Sequence, residues 1–406
     1  ASMEDRRGLT ALHHAVKGGG GVGLFKLLID NGAPVNTENE EKETSPLFFA
    51  VENGHQEAAD LLIANGAEVA VTDADKNTLL HMAAKKARPR LVRILINRGI
   101  DIHAKNKNGA DALWTLAGSS SDTILENFFA RIADSVEEKS RSDDTFEPAG
   151  QRHTLYQLLQ ELEGNFNRKA LNEAIDNSVI SIEIKEQRLQ LLVDQLVQDY
   201  LVSAALLLDA GASVNTANRR GATVIIELCK QKACAAEVFK KNRVSLASEV
   251  EQRLNTACDA AERIHNELIQ LFINTGADVA ARDENEQTAL MHACENGHIE
   301  YVRLLLEHGA EVNKANYEGW TPLIYAAANE DVEMAKLLID EGAAVNAQNT
   351  FGETALLKAV YRNNGEIAEL LVKNGADPDI KNTHHHSPRS AAKTYGYSKI
   401  LKVFNQ

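Results

Sequence analysis

The chain has 406 residues, a formal net charge of -15 and an ordinary globular composition, with 44% hydrophobic, 25% charged and only 5% aromatic residues. The acidic balance argues against a nucleic-acid partner, whose phosphates need a basic surface. No uncharged apolar run of about 18 residues predicts membrane insertion. Cys229, Cys234, Cys258 and Cys294 lack zinc-type spacing and are expected as reduced thiols of a cytoplasmic protein. No secretory leader opens the chain, and Ala1-Ser2-Met3 reads as a cloning remnant ahead of the first element.

In chain order, Asp5–Thr37, Glu38–Thr72 and Asp73–Ala104 are three similar units, each predicting a turn, a short helix and a second helix. The glycine run Gly18–Gly21 in the first has no following Lys-Ser/Thr and follows no strand, which excludes a phosphate loop. A fourth unit starts at Asn106–Ala117 and resumes only at Tyr200–Asn215; a fifth starts at Asn218–Lys230 and resumes at Asn266–Ala281. The interruptions predict long helices over Glu183–Leu208 and Ser245–Ile273, and shorter ones over Asp122–Val136, His153–Leu162 and Arg168–Ile175. Ser140–Gly150 reads as a mobile loop. Both interruptions fall between the two helices of adjacent units, so they are expected to leave side by side and pack as one helical lobe. Three uninterrupted units follow, Asp283–Ala315, Asn316–Gln348 and Asn349–Ile380, then a degenerate Lys381–Gln406 with Arg389 at an apolar position.

Asn316–Gln348 shows the instruction most completely. Thr321 is placed to cap a helix and Pro322 stands where a missing N–H costs nothing. The second helix buries Val332, Ala335, Leu337, Leu338 and Ile339, and Gly342 supplies the left-handed stop. Such stops recur at Gly32, Gly66, Gly99, Gly211, Gly276, Gly309, Gly342 and Gly375, spaced 34, 33, 112, 65, 33, 33 and 33. Against a period near 33, the two long gaps hold about 79 and about 32 extra residues. Capping residues keep the same register at Thr10, Ser45, Thr78, Asp111, Thr223, Thr288, Thr321, Thr354 and Ser387.

The period, starts such as Thr10-Ala11-Leu12-His13, Ser45-Pro46-Leu47 and Thr321-Pro322-Leu323, and the second-helix motif Y-V-R-L-L-L-E-H-G-A-E-V-N at Tyr301–Asn313 resemble the ankyrin-repeat family. The resemblance implies an all-α ankyrin-repeat solenoid of about nine helix-turn-helix repeats with an inserted helical lobe. Repeats 1–3 and the first half of 4 would occupy 4–117, insertions 118–199 and 231–265, the repeat halves between them 200–230, and the remaining repeats with a capping unit 266–406. It also implies a protein partner bound in a concave groove lined by the turns and first helices. At matching positions the groove would present Tyr317, Glu318, Trp320, Asn329, Phe351, Tyr361 and Arg362, with Trp, Tyr and Arg the usual carriers of binding energy. Arg219 and Arg220 with Lys105 and Lys107 form a smaller basic stripe.

No catalytic, cofactor-binding or metal-binding set stands out. Adjacent His384-His385-His386 splay apart and lack converging ligands. His13, His55, His81, His292 and His298 are expected in hydrogen bonds between turns, and Cys258 with His265 in core packing rather than a thiol–base pair. The expected role is therefore a non-enzymatic adaptor or scaffold, with the lobe as a second contact surface. The alternatives are an effector of a bacterium, delivered to a host cytoplasm to bind a eukaryotic protein, or an enzyme module carried in the insertion. Val-Asn ends at Asn36, Asn215, Asn313 and Asn346, each with Leu eight residues earlier, match ankyrin substrates of an asparaginyl hydroxylase; the competing reading is that the Asn bridges adjacent repeats.

Overall fold

A computed structural model of the chain describes residues 4–5, 8–17, 21–37, 45–120, 123–124, 127–128, 186–231 and 248–405. The expected helices over Asp122–Val136, His153–Leu162 and Arg168–Ile175, and the Ser140–Gly150 loop, lie wholly or largely outside these residues. All regular structure among the described residues is helical, as expected for an all-α repeat solenoid. The chain divides into two compact units, residues 1–216 with 232–268 and residues 217–231 with 269–406.

In the first unit, α1 (Ala11–Lys17), α3 (Pro46–Glu52), α5 (Leu79–Lys85) and α7 (Ala112–Ala117) pack in succession as one layer. The second helices α2 (Val22–Asp30), α4 (Gln56–Ala64) and α6 (Pro89–Asn97) pack in succession as the other. Short first helices suit close stacking: α3 buries Leu47, Ala50 and Val51, and α5 buries Leu79, Leu80, Ala83 and Ala84. Each buried Leu contributes roughly 1.5–3 kcal/mol.

The resumption after the first interruption is α8 (Glu186–Asp209), which packs on α6 and α7. It takes the place of a second helix in the fourth repeat, extended backwards by several turns. Its stretch Gln190–Asp209 is long and apolar enough, by composition alone, to cross a membrane. Here its apolar face, with Leu196, Tyr200, Ala204 and Leu207 fully buried, is covered by protein. Tyr200 fixes the register: Asn127 Nδ2 donates to its hydroxyl at 2.7 Å and to the carbonyl of Lys85 at 3.1 Å. The other long helix, α10 (Ser248–Asn274), runs beside α8 over its first-unit part. There Arg263 bonds Asp194 at 2.7 Å, and His265 Nε2 lies 3.0 Å from the Ser119 carbonyl.

The second unit repeats the two-layer plan. Its first helices are α9 (Val224–Lys230), α11 (Ala289–Asn296), α13 (Pro322–Ala328), α15 (Ala355–Tyr361) and α17 (Pro388–Thr394). Its second helices are α12 (Ile299–Glu307), α14 (Val332–Asp340), α16 (Gly365–Lys373) and α18 (Ser398–Val403). Stacking is sequential in both layers. At the last repeat, Arg389 replaces an apolar residue by bonding both carboxylate oxygens of Asp379 and the carbonyl of Phe404.

The caps explain why the helices start where they do. Ser45, Asp111, Thr288, Thr321, Thr354 and Ser387 each accept the backbone N–H three residues on. At Thr10 and Thr78 a histidine at that third position closes the turn instead, His13 and His81 facing the hydroxyl at 2.9 and 2.8 Å. Thr223 has no such bond. The Val-Asn asparagines bridge repeats: Asn313 donates to Gly342 O at 3.0 Å and accepts from Ala344 N at 2.7 Å. Asn36 and Asn346 do the same one repeat onward.

Candidate functional site

The projecting turn before each cap, a finger, is built by its first residue. In the second unit Asn218, Asp283, Asn316, Asn349 and Asn382 each accept two backbone N–H groups, from the residues two and four places on. That closes the finger into one shape and leaves its second and third residues at the tip. The fingers are then tied to each other by backbone bonds. Glu284 N donates to Arg220 O at 2.7 Å, Tyr317 N to Asn285 O at 3.3 Å, Thr350 N to Glu318 O at 2.8 Å and Thr383 N to Phe351 O at 2.9 Å. The approach is close enough that a Cβ on Gly319 would stand 2.9 Å from Asn349 Cα, and one on Gly352 2.9 Å from Asn382 Cα. These glycines, at φ +75° and +72°, serve both the left-handed turn and the stacking.

This ladder holds three of the expected contact residues in the open. Tyr317 is 70% exposed, Phe351 is 49% exposed, and Glu318 between them is exposed too. Large apolar side chains are rarely this free, since a lone Tyr or Phe gains by burying its ring. Trp320 behaves differently. It is half-buried, with its ring 4.9 Å from Tyr325 and the Lys358 ammonium 4.7 Å over it, while Lys358 is ion-paired to Glu353. Trp320 thus forms a floor beneath the exposed rings, and among the described residues its buried indole N–H has no hydrogen-bond partner. Asn329 and Arg362 stand at helix ends. Asn329 donates to the Glu295 carbonyl at 2.6 Å and Arg362 to the Ala328 carbonyl at 3.0 Å, each reaching back one repeat. Tyr361 is half-buried, 3.4 Å from Asn382 Nδ2 and edge-on to Tyr395.

In the row beneath, the sequence singles out only His292, as a hydrogen-bonding partner of a turn. The middle positions of α9, α11, α13 and α15 carry Glu227, His292, Tyr325 and Lys358. The Tyr325 hydroxyl accepts from Gln287 at 3.0 Å and from Asn316 at 3.2 Å. Asp283, only 2% exposed, meets Lys230 Nζ at 3.1 Å and His292 Nε2 at 2.9 Å, and Glu295 lies 3.6 Å from the other ring nitrogen. Burial works against charge on Asp283, but its bonds to His292, Lys230 and two backbone N–H groups win and hold its carboxyl far below the usual range. Burial likewise opposes a charged His292, yet the bonds to Asp283 and Glu295 hold its imidazole above the ordinary value. Burial pushes Glu227 up against the pull of Lys230. Only the Asp-for-Asn exchange at 283 signals this cluster in the sequence.

The remaining candidates are structural. His81 is pushed towards neutrality by burial; its Nδ1 accepts from Thr78 N and its Nε2 bonds the Ala110 carbonyl of the next repeat at 3.0 Å. Lys107 pairs with Asp75 and Arg220 with Glu284, so the basic residues meet acids of their own units. Cys229 and Cys294 are buried free thiols, and burial raises both. Cys258 is disulfide-bonded, which corrects the expectation of four reduced thiols. His384, His385 and His386 are all exposed, and among the described residues no group of three or more His, Cys, Asp or Glu could hold a metal ion.

The family model described as ankyrin repeats (3 copies) matches residues 1–73, 254–349, 309–382 and 329–404, and that described as ankyrin repeats (many copies) matches 62–117. The chain is similar to a transient receptor potential cation channel subfamily A member 1 homolog of Caenorhabditis elegans, 36% identical over 110 residues, 27% of this chain and 9% of that protein. It is 31% identical over 143 residues to the B-cell lymphoma 3 protein homolog of Mus musculus, 35% of this chain and 32% of that protein. A putative ankyrin repeat-containing protein of Treponema pallidum is 30% identical over 112 residues, 28% of this chain and 37% of that protein. The chain therefore spans well under half the length of each of these relatives.

Proposed function

The chain belongs to the ankyrin-repeat family, and from that premise we propose that it is a non-catalytic scaffold that holds a partner protein against the fingers and first helices of its last repeats. Proteins of this family generally act through protein–protein contacts. The observation that carries the reading is the exposure of Tyr317 and Phe351 on adjacent, backbone-tied fingers above Trp320. Rigid aromatic side chains held in the open give contact area at little entropic cost, and such residues dominate binding energies. Glu318, Tyr361, Asn329 and Arg362 complete the proposed contact set. The helical lobe of α8 and the first-unit part of α10 is the proposed second surface.

The test is affinity capture from eukaryotic cell lysate with wild-type chain and the Tyr317→Ala/Phe351→Ala double variant, compared by quantitative mass spectrometry. A partner retained by the wild type and lost by the double variant is the expected result. Identical captured sets would reject the proposed face. Trp320→Ala is the weaker probe, because removing the indole also frees Tyr325 and Lys358.

A further inference from the structure

The finger acids of the second unit are almost all neutralised from within. Glu284 pairs with Arg220 at 3.7 Å, Glu286 with Arg282, and Glu353 with Lys358. Glu318 stands apart: among the described residues no ion pair or side-chain hydrogen bond engages its carboxylate, although its backbone is fixed at both ends. Its N–H donates to Asn316 at 3.0 Å and its carbonyl accepts from Thr350 at 2.8 Å. The free carboxylate thus sits on a rigid finger, beside Tyr317 in the chain and across one backbone bond from the finger that carries Phe351. Both rings are exposed. Lys358, the cation over this floor, is committed to Glu353 and to the Trp320 face.

We infer that the tips of these two fingers recognise a partner segment carrying a lysine or arginine between apolar residues, the cation meeting Glu318 and its neighbours covering Tyr317 and Phe351. The inference rests on the scaffold reading above and adds the chemistry of the segment bound. Aromatic rings attract a cation through their faces and bury the alkyl stem of its side chain. An uncompensated carboxylate then supplies the charge complement, which sets specificity more than bulk affinity. An acidic segment would meet Glu318 unscreened, and a wholly apolar one would strip water from it without replacement.

The test uses a displayed library of random 12-residue peptides, panned separately on the full wild-type chain and on Glu318→Lys. The wild type is expected to enrich peptides with Lys or Arg flanked by apolar residues. A synthetic representative should bind Glu318→Lys about tenfold or more weakly, and its Lys/Arg→Glu analogue should recover binding on Glu318→Lys but not on wild type. Thermal melts of the two proteins should coincide, since the internal bonds of Glu318 are made by its backbone, which the substitution keeps. Enriched peptides without a basic residue, or equal affinity for both proteins, overturn the inference and leave the scaffold reading intact. Failure of any peptide to bind, together with identical capture by wild type and the double variant, overturns both.

Discussion

The fingers at 73–78 and 106–111 and those at 316–321 and 349–354 share one backbone but not one chemistry. Both pairs are tied by the same bond, Lys107 N to Asp75 O and Thr350 N to Glu318 O, each 2.8 Å. At the tips of the first pair Lys107 and Asp75 lie 3.7 Å apart and answer each other. At the tips of the second, the side chains of Tyr317, Glu318 and Phe351 are exposed, and among the described residues no ion pair engages Glu318. The scaffold is therefore set by Asn or Asp at the start of a finger and by the capping hydroxyl at its end, while the two tip positions are left free to differ. Stability and the proposed recognition fall on separate residues, and substitutions should separate them.

The largest break is expected where a scaffold position carries charge. Asp283→Ala removes the partner of Lys230 and His292 and the side-chain acceptor of two backbone N–H groups of its finger, a loss of about 3 kcal/mol or more in urea denaturation. Asp283→Asn keeps the acceptor for the two N–H groups and should cost less, about 1–2 kcal/mol. Equal losses would mean that the ion pairs, not the finger bonds, do the holding. Gly319→Ala should follow at about 2–3 kcal/mol, combining a left-handed φ with a 2.9 Å clash. Gly342→Ala has the same φ problem but open space around it, and about 1 kcal/mol is expected. If the two glycines cost the same, close stacking of the fingers is not the constraint.

The charged cluster also gives the second unit a pH signature. The folded-state value of His292 is raised above 6.5, so its contribution is complete below that pH and fades as pH rises through the raised value. Asp283 is depressed below 3.8; its contribution is present above that pH and fades as pH falls further. The gap in melting temperature between wild type and His292→Asn should thus be widest between about pH 4 and 6.5 and narrow above neutrality. A gap that widens with pH would contradict the ion pair. Smallest of all, Lys107→Ala should change stability by no more than about 0.5 kcal/mol, because both members of that pair are largely exposed and screened.

Most of the fold was legible because each repeat states its own limits locally. Thr321 and Pro322 start a helix, Gly342 stops one, and the next unit repeats the instruction at a fixed distance. The long helices were legible from apolar spacing alone, Glu183–Leu208 against an observed Glu186–Asp209. What did not show was contact between distant residues. Asn127 with Tyr200, or Gln287 with Tyr325, are 73 and 38 residues apart, and nothing local marks either as a pair. At the candidate face, the tip residues could be found by register, since projecting turns put them outside whatever their neighbours are. Tyr325 and Lys358 escaped the same reasoning because their contacts depend on residues of adjoining fingers. Trp320 lies half-buried where Tyr317 and Phe351 are exposed, because its ring packs on Tyr325 and under Lys358.

Calorimetric titration of a partner protein obtained by capture into wild type and into Tyr317→Ala/Phe351→Ala, with a thermal melt of each, tests the separation most directly. The expected outcome is a Kd weakened by about tenfold or more with melting temperatures that coincide. An unchanged Kd, or a weakened one accompanied by a lowered melting temperature, would contradict the division between a scaffold that stacks and fingertips that bind.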